Sequence, residues 1–249
     1  MINITQLSIS LGGRQILQDI GFEIPTKSLI AIMGPSGCGK STLLKALMGL
    51  EKCSSGSLHI EGRAPIPLAQ WTLKQTTFGL VPQLPLLLPW KNALANILTA
   101  APTDMNPSDA NEQALRFLDR VGLREAEKLF PWQLSQGMAA RVSLVRTLMM
   151  KSDVLLLDEP FAAIDATTRF HLQKWLLELV ESFGQTALLV THDPREALFL
   201  ADKILVLNGK PATLSRTFEL PSRTNRADSD WIFSSEAGHL EKELRSALE

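Results

Sequence analysis

The chain has 249 residues and a formal net charge of −1, and hydrophobic residues make up 45% of it. This length and balance suit one large globular domain, or one domain with a small appendage. The near-neutral charge argues against nucleic acid or an anionic membrane surface as a partner. The two cysteines, Cys38 and Cys53, are too few for a disulfide framework, and their use favours a reducing cytosol.

Membrane insertion is not expected from the sequence. The first residues lack a basic region followed by an apolar stretch, so no secretory leader is predicted. The most apolar region, 80–90, is broken by three prolines and is shorter than the ~20 apolar residues that span a bilayer. If the protein works at a membrane, another polypeptide must supply the crossing.

Extended segments are predicted at the start of the chain. Apolar residues over 2–9 are spaced as one face of a strand, and Gly12-Gly13 supplies a turn before a second strand over 16–24. The continuous apolar run 29–33 predicts a buried parallel strand, and helical apolar spacing follows over 40–50.

The middle of the chain is predicted to be helical. One helix ends at Gly122, and another begins near Ser135. Because this helical block precedes the next buried strand, 154–157, we interpret about 84–150 as a helical subdomain inserted into an α/β core.

The last third of the chain returns to alternating helix and strand. A helix over 170–183 precedes a strand over 186–190, and a later strand over 204–207 meets Asn208-Gly209, a hairpin turn signal. Beyond Leu214 the composition is polar and loop-like, and a short helix is predicted near the end of the chain, over 236–248.

A phosphate-binding loop is predicted between the strand 29–33 and the helix after it. The residues fit the pattern GxxxxGK[ST], with glycines that let the backbone wrap a phosphate closely. The helix adds its positive N-terminal end. Lys40 would reach the β- and γ-phosphates, and the Ser41 hydroxyl would bind Mg²⁺. The residues expected around the phosphates are Gly34, Pro35, Ser36, Gly37, Cys38, Gly39, Lys40, Ser41 and Thr42.

Polar side chains follow two of the other predicted strands. Asp158 and Glu159 come directly after 154–157, and His192 follows the strand 186–190. Ligands of open α/β sheets bind at the carboxyl ends of parallel strands. There Asp158 would hold Mg²⁺ through water, and Glu159 would polarise the attacking water. The alternative is structural, because acidic residues often terminate strands and a lone histidine is more often a structural or surface residue.

The chain resembles the ATP-binding cassette family over nearly its whole length to about Leu207, because six family elements occur in order. They are the P-loop 34–41, the Q-loop-like Gln83, the signature-like Leu134-Ser135-Gln136-Gly137-Met138, the Walker B-like 154–160, the D-loop-like Ala162-Ala163-Ile164-Asp165 and the switch-like Thr191-His192-Asp193. The resemblance implies an α/β fold with a P-loop core, a mostly parallel sheet, an N-terminal antiparallel β part and the inserted helical subdomain. It assigns 1–214 to a nucleotide-binding domain and 215–249 to a C-terminal tail.

The resemblance further implies an ATPase that works as a head-to-tail dimer, with two ATP molecules between the copies. Each ATP would lie on the P-loop of one copy and be covered by Ser135 and Gly137 of the other. Gln83 would contact Mg²⁺ and the attacking water, His192 would contact the γ-phosphate, and Asp165 would belong to the nucleotide site.

Three positions depart from the usual family pattern. The signature has Gln136 where glycine is commonest and Met138 where glutamine is commonest, so a working site with altered dimer affinity is expected. Leu11 stands before the glycine turn, where the family usually has an aromatic side chain that stacks on adenine. Since leucine offers apolar contact without π-stacking, we predict weak selectivity for adenine.

The stretch after Gln83 resembles importers of the nitrate, taurine and sulfonate type. Leu87-Leu88-Pro89-Trp90 matches their "LLPW" segment, and Asn96-Ile97 matches the helix that follows it, as in pyrimidine-precursor importers. The implied partners are a membrane permease and, indirectly, a substrate-binding protein. The implied location is the cytoplasmic face of the cell membrane. The segment 86–90 is either an ordinary core segment bent by prolines or an exposed docking surface for the permease.

Three other interpretations stay open on the sequence. An exporter motor and a soluble cassette ATPase would use the same nucleotide chemistry, although soluble cassette proteins usually carry paired cassettes, large insertions or basic extensions. A P-loop kinase or GTPase outside the family would not need the residues 134–138 before the strand 154–157.

Overall fold

The computed structural model describes residues 1–62, 64–71, 78–182, 184–221 and 231–249. The chain divides into two compact units, one formed by Met1–Thr76 with Leu179–Glu249 and the other by Thr77–Glu178. Among the described residues, every helix is too short or too polar to cross a bilayer.

The elements follow the hydrophobic pattern of the chain. The strands are β1 (Ile2–Leu11), β2 (Arg14–Ile24), β3 (Leu29–Met33), β4 (Ser55–Ile60), β5 (Ile66–Pro67), β6 (Phe78–Val81), β7 (Val154–Asp158), β8 (Thr186–Val190), β9 (Lys203–Gly209) and β10 (Ala212–Glu219). The helices are α1 (Lys40–Leu47), α2 (Ala93–Leu98), α3 (Pro107–Arg120), α4 (Gln136–Met149), α5 (Ala166–Ser182), α6 (Pro194–Leu200) and α7 (Ser235–Leu248).

The first unit contains a mixed sheet with the strand order β5-β4-β1-β2-β10-β9-β3-β8. β1 pairs antiparallel with β2 and β4, whereas β3 pairs parallel with β8 and β9. All residues of β3 and β8 are buried, as continuous apolar runs predict for parallel strands. Because β3 and β8 are parallel neighbours, the loops that follow them leave from the same edge of this sheet.

The second unit joins two parallel strands to a group of helices. β6 pairs with β7, and Val81 lies opposite Leu157. α2, α3 and α4 pack against one another, and the fully buried Val142 and Val145 form the inward face of α4. The Thr147 hydroxyl on α4 donates to the carbonyl oxygen of Leu80 on β6, at 3.0 Å, and so links the helices to the strand pair.

The C-terminal helix α7 packs against α6 and β9 in the first unit. Its Ala237 and Leu244 are buried. Its Glu241 accepts hydrogen bonds from Arg245, at 2.7 Å, and from Arg195 of α6, at 3.1 Å. These bonds, the one from Arg245 first, lower the pKa of the Glu241 carboxyl, although burial opposes the effect. The C-terminal helix is therefore packed and hydrogen-bonded into the first unit.

The architecture confirms the predicted fold class, an α/β fold with a strand–P-loop–helix core, an antiparallel N-terminal part and inserted helices. The predicted domain bounds 1–214, 84–150 and 215–249 stay a prediction.

Two predicted boundaries were wrong, each for a local reason. Helix α1 ends at Leu47 rather than near Leu50, because Gly49 adopts a left-handed φ of 69° and leaves Leu50 exposed. Helix α5 begins at Ala166 instead of 170, because the Asp165 carboxylate accepts the Thr168 N–H and caps the helix. Its predicted last residue, Phe183, lies outside the described residues.

The hairpin near the end of the chain was also misplaced. The turn lies at Lys210-Pro211, between Gly209 and its partner Ala212, and not at Asn208-Gly209. β10 then continues to Glu219, although the polar composition beyond Leu214 predicted a loop. The reason is that only one face of this strand is buried, so its outward side chains are free to be polar.

Candidate functional site

The P-loop joins β3 to α1 and needs glycine at specific positions. A Cβ atom on Gly34 would lie 2.5 Å from the carbonyl oxygen of Leu207, and one on Gly39 would lie 2.8 Å from the Leu17 side chain. Gly37 and Gly39 also have left-handed φ angles of 75° and 112°. The backbone is therefore free to curve tightly, as a loop that wraps a phosphate must.

Lys40 lies across this loop. Its side chain is only 7% exposed, and Nζ donates to the carbonyl oxygens of Gly34, at 2.8 Å, and Pro35, at 3.0 Å. The first turn of α1 contains no acidic residue, and its N-cap is Gly39, which has no side chain to occupy the helix end. These features suit a polyphosphate ligand: an ammonium group, a helix N-terminus without an acidic side chain in its first turn, and an exposed loop at Ser36 and Gly37.

The remaining P-loop residues surround the same helix start. Cys38 is buried, and its N–H donates to the Pro35 carbonyl at 3.2 Å, which closes the turn. Ser41 and Thr42 are half-buried in the first turn of α1, one and two residues after Lys40. Their hydroxyls therefore lie at the end of the helix that faces the loop.

Leu11 is the last residue of β1 and lies at the β1–β2 hairpin. It pairs with Arg14 across the glycine turn, and Ile16 and Leu17 further along β2 contact Gly39. Leu11 is 38% exposed. The apolar side chains of Ile16 and Leu17 therefore border the phosphate loop at Gly39, and Leu11 lies further along the same hairpin.

His192 is exposed and follows β8, the parallel neighbour of β3. The Thr191 N–H donates to the Ile32 carbonyl at 3.2 Å, which ties the start of this loop to β3. The next residue, Asp193, caps α6 by accepting the Arg195 N–H at 2.9 Å. The switch-like residue and the P-loop thus leave the same edge of the sheet in the first unit.

The second unit brings Gln83 and Glu159 together at the carboxyl ends of β6 and β7. Gln83 Nε2 donates to Glu159 Oε2 over 3.4 Å. Asp158, the last residue of β7, is 7% exposed. Glu159 has a left-handed φ of 48°, so the backbone leaves the extended conformation directly after β7. The side-chain amide of Gln83 and the carboxylate of Glu159 therefore meet next to the buried Asp158.

The signature-like residues form the start of α4. Ser135 is the N-cap, and its Oγ accepts the Met138 N–H at 3.2 Å. A Cβ atom on Gly137 would lie 3.1 Å from the Ala163 carbonyl, so glycine allows the helix start to approach the D-loop-like segment closely. Ser135 and Gln136 are exposed, which leaves the N-terminus of α4 open to a partner.

Two of the unusual or uncertain positions have structural explanations. Met138 lines an open cavity in which Leu123 and Leu129 offer apolar surface to its thioether side chain, beside the charged Arg124 and Glu125. Asp165 accepts hydrogen bonds from the backbone and side chain of Thr168, and these lower the pKa of its carboxyl. Asp165 therefore has a helix-capping role whether or not it belongs to the nucleotide site.

Sequence reasoning missed the residues that hold the loop after Gln83. Asn96 is fully buried, and its Nδ2 donates to the carbonyls of Leu88, Lys91 and Asn92 while its Oδ1 accepts the Leu88 N–H. A polar residue on the buried face of a short helix was the available signal.

A second missed residue, Arg146, holds the other half of the same loop. Its guanidinium donates to the carbonyls of Pro85 and Leu86, both at 3.0 Å. Burial lowers the pKa of this guanidinium. The sequence carried no signal for this contact, because Arg146 reads as one of the polar residues between the inward positions of α4.

Comparison with known proteins agrees with this arrangement. Residues 17–162 match the ABC transporter family. The aliphatic sulfonates import ATP-binding protein SsuB 1 of Xanthomonas axonopodis pv. citri is 41% identical over 219 residues, which cover 86% of this chain and 84% of that protein. The taurine import ATP-binding protein TauB of Yersinia pestis bv. Antiqua is 35% identical over 243 residues, which cover 93% of each.

A solved structure shows the same fold. The dimeric post-hydrolysis structure of the ATP-binding cassette MJ0796, bound to ADP and Pi, is similar with a TM-score of 0.79 at 26% identity. The match covers 89% of this chain and 100% of that one. Since the family match spans more than half of the sequence and import ATP-binding proteins are similar over most of it, the chain belongs to the ABC transporter family and is an ATPase.

Proposed function

We propose that this ATPase powers the import of a small solute through a partner membrane permease. The solute class is that of its relatives and of the resemblance above: a sulfonate, taurine, nitrate or a pyrimidine precursor. The observation that carries the coupling role is the loop after Gln83, which exposes three large apolar side chains on a braced backbone. The protein would then lie peripherally on the cytoplasmic face of the cell membrane.

The nucleotide chemistry follows from the side chains described above. The residues of the P-loop, 34–42, bind the phosphates of ATP, and Lys40 adds a positive charge held inside the loop. The hydroxyl of Ser41, the carboxylate of Asp158 and the amide of Gln83 supply oxygen donors, the type that Mg²⁺ prefers, so the donor set fits this ion. When bound, Mg²⁺ would neutralise phosphate charge.

Glu159 is the general base in this proposal. Its carboxylate polarises the attacking water, and the hydrogen bond from Gln83 orients the carboxylate. His192 contacts the γ-phosphate from the loop after β8. Gln83 is thus a member of the site and immediately precedes the exposed loop, so the proposed site and the proposed docking surface are adjacent in the chain.

A second copy of the chain completes the site. The N-terminus of α4, with the cap Ser135 and the glycine at 137, presents backbone N–H groups and the positive end of a 14-residue helix to the γ-phosphate of the opposite copy. In this proposal Gln136 and Met138 lie next to the γ-phosphate contact. Asp165, in the D-loop-like segment, belongs to the same nucleotide site. The exposure of Ser135 and Gln136 supports this role, and the similar MJ0796 cassette was solved as a dimer.

The docking loop, defined here as Leu84–Trp90, supports a permease partner. Leu84, Leu86 and Trp90 are 64%, 68% and 70% exposed. Leu86 also has a left-handed φ of 44°, a conformation that leucine adopts only where its surroundings enforce it, and Arg146 holds its carbonyl. Exposed apolar side chains on a rigid loop are typical of a protein-binding surface.

Replacing Leu86 with Ser and Trp90 with Ala together is expected to prevent association with the permease. Both side chains are exposed anchors of the docking loop, and truncated aromatic anchors commonly cost 2 kcal/mol or more, about 30-fold in affinity. The measurement is copurification of a multi-span membrane protein with the tagged subunit from solubilised membranes.

The matched control is Leu50→Ser, because Leu50 is 53% exposed and lies in the first unit. The control is expected to copurify the membrane protein as the parent does. Equal recovery with the double variant would show that the loop is not the docking surface. Identification of the recovered protein as an exporter channel, or recovery of none with the parent chain, would contradict the importer proposal.

The base end of the site leads to a separate prediction, on GTP. Leu11 offers apolar contact and no π-stacking partner, so the discrimination between adenine and guanine is expected to be weak. The ratio of kcat/KM for GTP to that for ATP, measured from phosphate release by the same preparation, is expected to exceed about one in a hundred, or ~2.7 kcal/mol of discrimination. A smaller ratio would contradict the prediction.

A further inference from the structure

An exposed aromatic pair lies immediately before the signature-like residues. The rings of Phe130 and Trp132 are stacked, with centroids 4.7 Å apart and an angle of 12° between their planes. Trp132 is 69% exposed, about as much as Trp90 of the docking loop. A large, rigid aromatic surface is therefore presented to the surroundings three residues before Ser135.

The pair is fixed relative to the start of α4. The turn Pro131–Gln133 is a 3-10 helix, in which Gln133 Oε1 accepts the Phe130 N–H at 2.9 Å and the Gln133 N–H donates to the Phe130 carbonyl at 2.8 Å. Because Phe130 covers one face of the Trp132 ring, stacking on a further ring is left to the opposite face. The turn thus presents a preorganised aromatic platform next to the cap of α4.

We propose that Trp132 of one copy stacks on the base of the nucleotide bound to the P-loop of the other copy. The inference rests on the proposed dimer, in which Ser135 contacts the γ-phosphate of that nucleotide. Three residues span at most about 10 Å, and the ribose and triphosphate separate the base from the γ-phosphate by a comparable length. Trp132 is therefore within reach of the base when Ser135 is at the γ-phosphate.

The copy that holds the nucleotide on its P-loop lacks an aromatic side chain at the expected base-stacking position, which is why a ring from the second copy would be needed. Leu11, which the family resemblance assigns to the base end of the nucleotide site, has no aromatic ring. A Trp132 supplied by the second copy would provide the missing π-surface only when the dimer closes. Every base has a π-face, so this stack is expected to strengthen the binding of ATP and GTP alike.

The test uses the whole 249-residue chain carrying Glu159→Gln, in which ATP-bound dimers are expected to accumulate. Dimer formation is followed by light scattering as the ATP concentration is raised, with and without Trp132→Ala. Loss of one base–aromatic stack is expected to raise the nucleotide concentration at half-maximal dimer formation, the midpoint, by about 5- to 100-fold. The increase is expected for ATP and GTP alike. Trp132→Phe, which keeps a ring, is expected to show a smaller shift, and Leu50→Ala none.

A second readout reports on the base itself. The fluorescence of 2-aminopurine riboside triphosphate is quenched when its base stacks on an aromatic ring. Quenching of this fluorescence is expected when the Glu159→Gln parent forms the dimer. With Trp132→Ala added, the quenching is expected to be lost, even at a nucleotide concentration high enough to restore the dimer.

The outcomes are separable. If the parent forms no ATP-dependent dimer, the proposed sandwich fails, and the inference about Trp132 fails with it. If the parent forms the dimer and Trp132→Ala changes neither the midpoint nor the quenching, Trp132 does not contact the base. A shifted midpoint with unchanged quenching would mean that Trp132 contacts protein of the second copy, which also overturns the proposal.

Discussion

Glu159→Gln is expected to reduce steady-state ATP turnover by at least about 100-fold while an ATP-bound dimer accumulates. Glutamine keeps the shape of the side chain but cannot take a proton from the attacking water, and general-base catalysis contributes about 10²–10⁴-fold. Since the P-loop and the N-terminus of α4 are untouched, ATP binding and closure are expected to persist. Phosphate release and size-exclusion chromatography with ATP measure the two effects.

Glu112→Gln is the matched control for this substitution. Glu112 lies on α3, where its carboxylate pairs with the exposed guanidinium of Arg116 one helical turn away. An exposed pair of this kind contributes little to stability, so turnover and oligomeric state are expected to match the parent. Turnover within a few-fold of the parent for Glu159→Gln would remove Glu159 from the role of general base.

Lys40→Ala is expected to weaken ATP binding itself by about 10- to 100-fold. The ammonium group lies inside the P-loop, 2.8 Å from the Gly34 carbonyl oxygen, and would exchange these carbonyls for phosphate oxygens when ATP binds. Hydrogen bonds to charged groups contribute about 1.5–3 kcal/mol, which corresponds to this range. Isothermal titration calorimetry at low protein concentration measures the affinity of the single copy.

Lys45→Ala tests whether any lysine of the same helix has this effect. Lys45 lies in the last turn of α1 and is exposed, so its loss removes an equal charge from the opposite helix end. Its affinity for ATP is expected to change by less than about threefold, since a single exposed charge is well screened by salt. An unchanged affinity in Lys40→Ala would contradict the assignment of the P-loop as the phosphate site.

Much of the fold could be predicted because the apolar pattern is strong where both faces of an element are buried. The strands β3, β7 and β8 contain five residues each, all buried, and their apolar runs, 29–33, 154–157 and 186–190, were identified from the sequence. β10 was not identified, because a strand with one exposed face carries polar residues that also suit a loop. The Lys210-Pro211 turn was missed because the preceding Asn208-Gly209 is the stronger turn signal.

In the candidate site, the residues that are contiguous in the sequence could be predicted, and the contacts between distant residues could not. The P-loop could be predicted residue by residue, since its glycines, lysine and hydroxyl are contiguous in the sequence. The pairing of Gln83 with Glu159 follows from the parallel pairing of β6 and β7, which single-sequence patterns do not determine. The contacts of Arg146 with Pro85 and Leu86 join residues about 60 positions apart, and only the folded chain brings them together.

The left-handed backbone of Glu159 has a thermodynamic consequence. A residue with a side chain loses about 1–2 kcal/mol in this conformation, and typical domains are stable by only about 5–15 kcal/mol. The protein therefore carries this steric cost at the residue that is proposed to act as the general base. Glycine would adopt this φ without the steric cost, so the proposed role of Glu159 implies that activity and stability oppose each other at this position.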